Sequence, residues 1–305
     1  MAPPPDGRGY TAGRFALEVA GSSVGSLKKF SGMAMEADVV ASGPGPGNAE
    51  KKHVANVKWT AGKATVGMGM GQGLYGWIKQ SFDKGTEPKN GRLISGDVNY
   101  QAQSALDFEG ALITEVAVPK LDGSSKDAAY FDITFEAERV RWSKAQGVDI
   151  RTKVGPKQKA WLRSNFRVEL GNLPCSRIAS VDSFTWTCAI GAERTGISRE
   201  PTMHPAKVTV PDLVLTISMA DLQPWAEAAK KWFVDGQHLE TDEMDGRIVF
   251  LGPDLKEELG EISLKNVGLK KFSNDDEAAI STKTARFTVE LYVERMTFQI
   301  AQYDA

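Results

Sequence analysis

Apolar and polar residues alternate along much of the chain, which is the pattern of strands that bury one face. Phe15, Leu17 and Val19 begin the pattern near residue 14. A longer alternation covers residues 130–142, where the apolar series starts at Phe131. The opposite face of this strand carries the polar series Asp132, Thr134, Glu136 and Glu138. Further strands are predicted at 27–40, 54–59, 65–70, 91–99, 105–113 and 116–119.

Two segments have the spacing of an amphipathic helix instead. In residues 73–85 the apolar stripe consists of Leu74, Trp77, Ile78 and Phe82. In residues 222–234 it consists of Trp225, Ala229, Trp232 and Phe233. Each helix is flanked by predicted strands, which indicates a mainly β fold with one short helix in each half of the chain.

Glycine and proline interrupt the pattern at three places. Residues 1–13 are rich in both and predict a flexible N-terminal arm. Residues 42–53 contain a Gly-Pro-Gly-Pro-Gly run and predict a long loop, and residues 191–205 predict a loop in the second half. Residues 143–160 are polar and predict the connection between the halves.

The pattern occurs twice, and internal repeats of this kind decide the fold. At a spacing of 151 residues, Phe15 corresponds to Phe166 and His53 to His204. After the predicted helix the spacing becomes 156, so that Phe131 corresponds to Phe287. We therefore expect a first domain at 14–147, a linker at 148–160 and a second domain at 161–305. Many short strands with close turns suggest that each domain is a small barrel or sandwich plugged by its helix.

Composition and charge disfavour several classes of protein. The formal net charge is −2, which disfavours a general nucleic-acid binder. Cys175 and Cys188 make no disulfide framework, as expected in a reducing compartment. No apolar run approaches the roughly 20 residues that cross a bilayer, and the N-terminus does not resemble a signal peptide. We expect synthesis and folding in the cytoplasm.

The candidate catalytic residues do not form a recognisable set. His53 and His204 occupy matching loop positions, but neither has neighbours at metal-ligand spacing. The glycine-rich segment 67–73 precedes a helix but lacks the Lys and Ser or Thr of a phosphate-binding loop. The carboxylates near Asp132 share one strand face and have no facing partner. The sequence thus predicts no enzyme, cofactor or metal site.

Three segments together resemble a known family. Residues 10–19 resemble its first strand, and residues 30–38 (FSGMAMEAD) are similar to the stretch that follows. Residues 77–79 (WIK) are similar to the core of its helix. The family is that of the tail tube proteins of contractile phages and of phage-tail-like contractile injection systems. The resemblance extends over 10–142 and, more faintly, over 162–300.

The resemblance implies a β-barrel with one helix, six copies in a ring, and rings stacked into a hollow tube. Sheets of adjacent subunits would join into an inner wall, whose lumen would be faced by Asp132, Thr134, Glu136 and Glu138. Trp77, Ile78, Phe82, Trp225 and Phe233 would pack each helix on its own barrel. The loops that reach the next ring would use Gly43, Pro44, Gly45, Pro46, Asn48, Lys51, Lys52, His53, Arg194, Arg199, Glu200 and His204.

A tandem of two such domains departs from the single-domain pattern of the family. Three chains would then supply six barrels, in a trimer with near sixfold appearance. We expect self-association first, with sheath, baseplate or spike proteins as further partners and assembly into a tail or injection particle. Two other interpretations remain open: an adaptor or hub between tube and spike, and a ligand-binding or hydrolytic barrel with a deep apolar pocket.

Overall fold

The computed structural model describes residues 14–43, 50–145, 148–154, 161–195, 197–198, 200–274 and 285–304. The predicted N-terminal arm lies outside these ranges. The chain is mainly β with few helices, so the predicted fold class is confirmed. The sheets are antiparallel throughout the described residues.

Eleven strands and one helix lie before residue 145 in the described part of the chain. They are β1 (Arg14–Val19), β2 (Ser22–Ser23), β3 (Leu27–Ser31), β4 (Met35–Ser42), β5 (Lys51–Trp59), β6 (Gly62–Val66), α1 (Gln72–Lys84), β7 (Lys89–Gly96), β8 (Ala102–Val118), β9 (Leu121–Asp122), β10 (Phe131–Glu136) and β11 (Arg139–Lys144). The predicted helix is confirmed to within one residue at each end.

The described residues from 161 onward form a 3₁₀ turn (Met219–Asp221), eight strands, an α-helix and a short C-terminal helix. They are β12 (Phe166–Leu170), β13 (Ile178–Val181), β14 (Phe184–Glu193), β15 (Thr202–Thr209), β16 (Leu213–Ser218), α2 (Leu222–Phe233), β17 (Met244–Leu251), β18 (Glu258–Asn274), β19 (Arg286–Ile300) and α3 (Ala301–Asp304). The second predicted helix is therefore also confirmed.

Strands occur in the same order in the main sheet of each half. In the first half the order is β1, β7, β8, β10, β6 and β3. Strand β11 follows β10 in the chain and pairs with the earlier part of β8, on the same side as β10. In the second half the order is β12, β17, β18, β19, β16 and β13. The single strand β19 thus takes the place of β10 and β11 together.

The pairing registers also recur. Glu36 pairs with Lys58 in the β4–β5 hairpin, and Thr187 pairs with Thr209 in the β14–β15 hairpin, so both members are displaced by 151 residues. Each hairpin has a register shift at the corresponding place, between Ala37 and Val39 and between Cys188 and Ile190. Positions before the helices therefore correspond at a spacing of 151.

From β8 and β18 onward the spacing is 156. Phe135 pairs with Ile113 and Leu291 pairs with Leu269, so both members are displaced by this number. Gly110 has φ +61°, in the left-handed region, and its counterpart Asn266 has φ +55°. Asparagine is among the few non-glycine residues that tolerate this region, which accounts for the substitution.

Large apolar side chains fill the interior of both sheets. Trp77 and Ile78 of α1 are buried, as is Trp225 of α2, so both helices insert aromatic side chains into the core. Trp77 lies 5.6 Å from Phe135 and Trp225 lies 6.5 Å from Phe287, between ring centroids. Burial of such rings is the main source of stability for a domain of this kind.

Several predicted boundaries need correction. Strand β8 is continuous across 102–118, where two strands were predicted, because the predicted break near Thr114 is a bulge at which the register with β10 shifts and pairing continues. The predicted loop at 42–53 is shorter, since Lys51, Lys52 and His53 begin β5 and pair with residues of β4. The second predicted loop is shortened in the same way by β14 and β15.

Candidate assembly surface

The sheets of the two halves are joined by backbone hydrogen bonds. Residues 184–187 of β14 pair with residues 115–118 of β8, and Trp186 lies opposite Val116. A shorter contact pairs β9 with β13. A strand of the second half therefore extends the sheet of the first.

Aromatic side chains close this junction on its buried side. Phe82 of α1 stacks on Trp186, with centroids 5.1 Å apart and ring planes inclined by 20°. Phe298 of β19 lies 6.3 Å from Phe82, 5.8 Å from Tyr75 and 5.4 Å from Phe131. We call the β8–β14 pair and the cluster Phe82, Trp186 and Phe298 the seam.

The β14–β15 hairpin also binds the first half through polar groups. The Glu138 carboxylate accepts a hydrogen bond of 2.7 Å from the Met203 backbone N–H. Glu200 forms an ion pair of 3.0 Å with Arg139 and another with Arg141. The Arg194 guanidinium donates to the Val57 carbonyl at 3.3 Å. Arg194 and Glu200, which were predicted at ring-to-ring contacts, and Glu138, which was predicted to face a lumen, thus make contacts within the chain.

The C-terminal helix α3 lies on α1 of the first half. Tyr303 stacks on Tyr75 at 5.2 Å and donates to the Met70 carbonyl at 2.9 Å. Asp304 accepts from Lys79 at 2.6 Å and from the Tyr75 hydroxyl. Burial, together with the bond to Asp304, raises the pKa of Tyr75 to about 12, so this hydroxyl stays protonated as a donor. The C-terminal helix therefore ties the second half to α1 of the first half.

The solvent-facing side of β10 is polar, as its alternation predicts. Asp132 accepts from Thr65 at 2.6 Å and forms an ion pair of 3.2 Å with Lys63. Thr134 donates to Glu115 on β8 at 3.1 Å. Glu115 lies opposite Thr134 on one side and opposite Thr187 of the second half on the other, so the polar positions form a row across three strands. A polar band thus crosses the seam without interruption.

Glu136 and Glu138 differ from the other members of this polar series. Burial raises the pKa of Glu136, and the nearby negative charge of Glu115 raises it further. Glu138 lies after the end of β10 and holds the Met203 N–H. The four residues predicted to face a lumen therefore occupy two different settings, and only Asp132, Thr134 and Glu136 lie within β10.

The predicted loop residues are placed only in part. Gly43, Lys51, Lys52 and His53 are exposed on or beside the β4–β5 hairpin. Exposed His204 lies on β15, with Nε2 3.8 Å from Glu193. Five further residues lie outside the described ranges: Pro44, Gly45, Pro46, Asn48 and Arg199.

Of the predicted helix residues, four are buried and one is not. Trp77, Ile78 and Trp225 have at most 1% of their surface exposed. Phe82 is 8% exposed and contacts the second half, whereas its counterpart Phe233 is 48% exposed. The same helical position is thus covered in the first half and uncovered in the second.

Two backbone edges are unpaired in the described residues although their counterparts in the other half are paired in the seam. The β4–β5 hairpin pairs with no other strand there, and all eight residues of β4 are exposed. Residues 271–274 at the end of β18 pair with β19 on one side and with no described strand on the other. These edges correspond to β14 and to residues 115–118 of β8, which pair with each other in the seam. Unpaired edges of this kind are sites where another chain can add.

The outer faces of the halves differ. In the first half the fully buried Ile150, which belongs to the segment 148–154, covers Ala16, Ala102 and Ala105. The corresponding residues of the second half are Arg167, Glu258 and Glu261, which form ion pairs with one another or with Arg247 and Glu169. The predicted linker is therefore packed against the first half over its described part.

The seam itself was not predicted from the sequence. Trp186 and Phe298 are 1% and 2% exposed, but neither was assigned a role. Their counterparts at the two spacings, Met35 and Trp142, are 59% and 62% exposed. The repeat contained this signal, because a large apolar residue stands at each of the four positions.

Other kinds of site have little support in the described residues. The described His, Cys, Asp and Glu side chains form no group that could hold a metal ion. No helix within the described ranges is long and apolar enough to cross a membrane. A cleft of about 410 Å³ lies at the seam, between the end of α1, the β14–β15 hairpin and β19. Trp77 and Trp225 are buried in the apolar interior of the two halves.

Solved structures from contractile injection systems are similar to about half of the chain. The sheath–tube complex of an extracellular contractile injection system, PVC, in the extended state has 20% identity and a TM-score of 0.40, over 46% of this chain and 94% of that chain. The tube-terminating cap of the anti-feeding prophage has 17% identity and a TM-score of 0.41, over 47% of this chain and 97% of that chain. No curated protein matches the chain.

A family model matches the first half. The matched residues are 11–141, which include β1 to β10, α1 and the beginning of β11. The matched segment is less than half of the 305 residues. Over that segment, the chain is similar to the T4-like virus tail tube protein gp19.

Proposed function

We propose that this protein is a structural subunit of the inner tube of a phage-tail-like contractile injection system. In this proposal three chains form a ring with six sheets around an open lumen. The observation that carries it is the seam, where one half of the chain extends the sheet of the other. The family match over residues 11–141 supports the tube assignment.

A tandem duplication is part of the proposal. It is supported by the common strand order and by pairing registers that recur at spacings of 151 and 156. If the halves are equivalent units, the contact between them within a chain is also a template for the contact between chains. Such a contact is head-to-tail, and it generates a closed ring if the rotation is close to 60° for each half.

The unpaired edges agree with this template. In the ring, β4 of one chain would pair with residues 271–274 of the next, as β14 pairs with β8 within a chain. Each exposed N–H and C=O of these edges would then gain a partner, and the sheet would have no free edge around the ring. The polar band that includes Thr134 and Glu115 would face the lumen.

The mass of the purified protein in solution tests the proposal. The chain has a mass of 33.1 kDa, so three chains give about 99 kDa, and negative-stain images would show a ring with a central hole. Mass photometry at submicromolar and light scattering at micromolar concentration would detect this species. A monodisperse 33 kDa monomer at all concentrations up to tens of micromolar would contradict the ring.

A second candidate function is an adaptor between a sixfold tube and a threefold spike. The different outer faces favour it, because Ile150 covers the first half while the ion pairs around Arg247 leave the second half uncovered. A ring with such faces would present threefold symmetry on its outside. Open-ended stacks of rings in micrographs would favour the tube, and single rings that do not stack would favour the adaptor.

Partners other than the chain itself follow from either role. A tube subunit would contact sheath and baseplate proteins on its outer surface, and an adaptor would also contact a spike. The predicted ring-to-ring contacts of Gly43, Lys51, Lys52, His53 and His204 remain part of this proposal, because the described side chains among them are exposed. Their replacement should impair stacking without changing the mass of a single ring.

A further inference from the structure

We infer that Phe233 of one chain is covered by Met35 and Trp142 of a second copy, and that this apolar contact joins neighbouring chains. The inference rests on the proposed function, because it takes the seam as the template for contacts between chains. It specifies which side chains make the contact and in which register.

The first step concerns the helices. Phe82 of α1 and Phe233 of α2 correspond at the spacing of 151, and each is followed three residues later by a glycine with positive φ, Gly85 and Gly236. Phe82 is 8% exposed because Trp186 and Phe298 of the second half cover it. Phe233 is 48% exposed, so within the described chain its outer face has no such cover.

The second step concerns the residues that provide the cover. Trp186 and Met35 occupy the same position in their hairpins, at the spacing of 151. Trp142 pairs with β8 and Phe298 pairs with the corresponding residue of β18, at the spacing of 156. Both counterparts are large and apolar, and both are more than half exposed. Each member of the buried cluster thus has an exposed, apolar counterpart in the other half.

The third step is the backbone register. Thr187 lies opposite Glu115 in the seam, so the corresponding pair between chains is Glu36 opposite Lys271. Opposite charges at facing positions stabilise a strand pair. Trp186 lies opposite Val116, which places Met35 opposite Phe272, a residue packed 5.4 Å from Phe287 at the margin of the core.

These observations favour a second copy over another occupant. Met35 and Trp142 belong to the first half, while Phe233 and Phe272 belong to the second half. Both surfaces are apolar and carry opposite charges at Glu36 and Lys271. Each corresponds to a surface that is already paired in the seam within the chain. A head-to-tail contact between identical chains satisfies both surfaces at once.

Chemical cross-linking tests the contact. The native thiols are first removed with Cys175→Ser and Cys188→Ala, and cysteines are then introduced as Met35→Cys together with Phe233→Cys. A short bis-maleimide should give bands of two and three chains on a denaturing gel, and three chains should be the limit because the ring closes. The matched control is Met35→Cys with Leu255→Cys, since Leu255 is similarly exposed, at 58%, but its position is not part of the contact.

The outcomes separate this inference from the proposed function. Cross-linking of the 35–233 pair at least fivefold above the 35–255 control, ending at three chains, supports the contact. A three-chain mass without selective cross-linking would overturn the contact while the ring stands. A monomeric mass without cross-linking would overturn both. Selective products that extend beyond three chains would support the contact but overturn ring closure.

Discussion

Phe82 of the first helix stacks on Trp186, which belongs to a hairpin of the second half, with ring centroids 5.1 Å apart. This contact joins the apolar interiors of two sheets that have the same strand order. Offset-stacked aromatic pairs contribute about 0.5–1.5 kcal/mol beyond their burial. The stacking stabilises the contact between the halves. In our proposal the same kind of contact recurs between neighbouring chains.

The first prediction concerns the counterpart of Phe82. Phe233→Glu should weaken self-association, because a charge would replace the ring at the centre of an apolar contact. A central interface residue contributes about 2 kcal/mol or more, which corresponds to roughly 30-fold in the dissociation constant of each contact. Mass photometry over a dilution series measures the change.

The control for this variant is Leu255→Glu, which replaces another exposed apolar side chain of the second half. Both variants should unfold at the same urea concentration as the parent protein when each is monomeric, since both positions are exposed. Equal self-association of the two variants would show that Phe233 is not part of the contact.

The second prediction concerns charge. Glu36→Lys and Lys271→Glu should each weaken self-association, because each places like charges at facing positions of neighbouring strands. Combining them should restore it, since the opposite pair is then re-formed with its signs exchanged. A cross-strand charge pair contributes roughly 0.2–1 kcal/mol, and sedimentation velocity at low and high salt would measure the effect and its screening.

The combined variant distinguishes this register from others. Lys271 also lies 3.4 Å from Glu290, and Glu36 pairs with Lys58 within its hairpin, so each single substitution disturbs a local pair as well. Local disturbances would add up in the combined variant. A double variant weaker than either single variant would therefore argue against Glu36 and Lys271 facing each other.

The third prediction concerns glycines at matching positions of the two sheets. A Cβ at Gly91 would lie 2.2 Å from Phe108 and 2.4 Å from the Glu18 carbonyl oxygen, and a Cβ at Gly246 would lie 2.5 Å from the Glu169 carbonyl oxygen. Gly91→Ala and Gly246→Ala should each lower the free energy of unfolding by about 1–3 kcal/mol, because the core must shift.

Gly76 provides the comparison for these variants. It lies in α1, and nothing lies within 4 Å of a Cβ added there. Gly76→Ala should raise the free energy of unfolding by roughly 0.5–1 kcal/mol through the higher helix propensity of alanine. Urea denaturation of all three variants gives these values, and destabilisation by Gly76→Ala comparable to that by Gly91→Ala would contradict the packing argument.

The fourth prediction concerns pH. Burial raises the pKa of Glu136 in the folded protein, with a further rise from Glu115. The folded state therefore binds the proton at higher pH than the unfolded state, so the charged carboxylate destabilises the fold at neutral pH. This destabilisation should disappear as the pH falls through the folded pKa and then the unfolded one.

Glu136→Gln removes that titration. The variant should be more stable than the parent at pH 7, and the difference should shrink as the pH is lowered to 4. Urea denaturation at several pH values measures it. A stabilisation that does not change between pH 7 and pH 4 would show that Glu136 titrates normally and that the amide acts by another route.

Alternation along the chain was sufficient to predict the fold class and most strands, and the amphipathic spacing predicted both helices. Alternation was insufficient at β8, where a bulge near Thr114 interrupts the pattern of one strand and makes it look like two. It also misplaced the hairpin ends, because Lys51 and Lys52 are strand residues only through their pairing with β4. Local sequence does not encode the partner that makes a polar segment a strand.

The candidate site was harder to predict for a related reason. Trp186 and Met35 occupy matching positions, and Phe82 and Phe233 do so as well, yet one of each pair is buried and the other is exposed. The difference arises from which half lies next to which, a property of tertiary structure. The repeat indicated equivalent surfaces, whereas the structure shows which of them already meet in the seam.

The most direct test of the account is a cryo-electron microscopy structure of the purified protein. The account predicts a closed ring of three chains in which β4 of each chain pairs with residues 271–274 of the next, with Glu36 opposite Lys271. A particle in which these edges are paired within their own chain, or in which neighbouring chains meet through other surfaces, would contradict it.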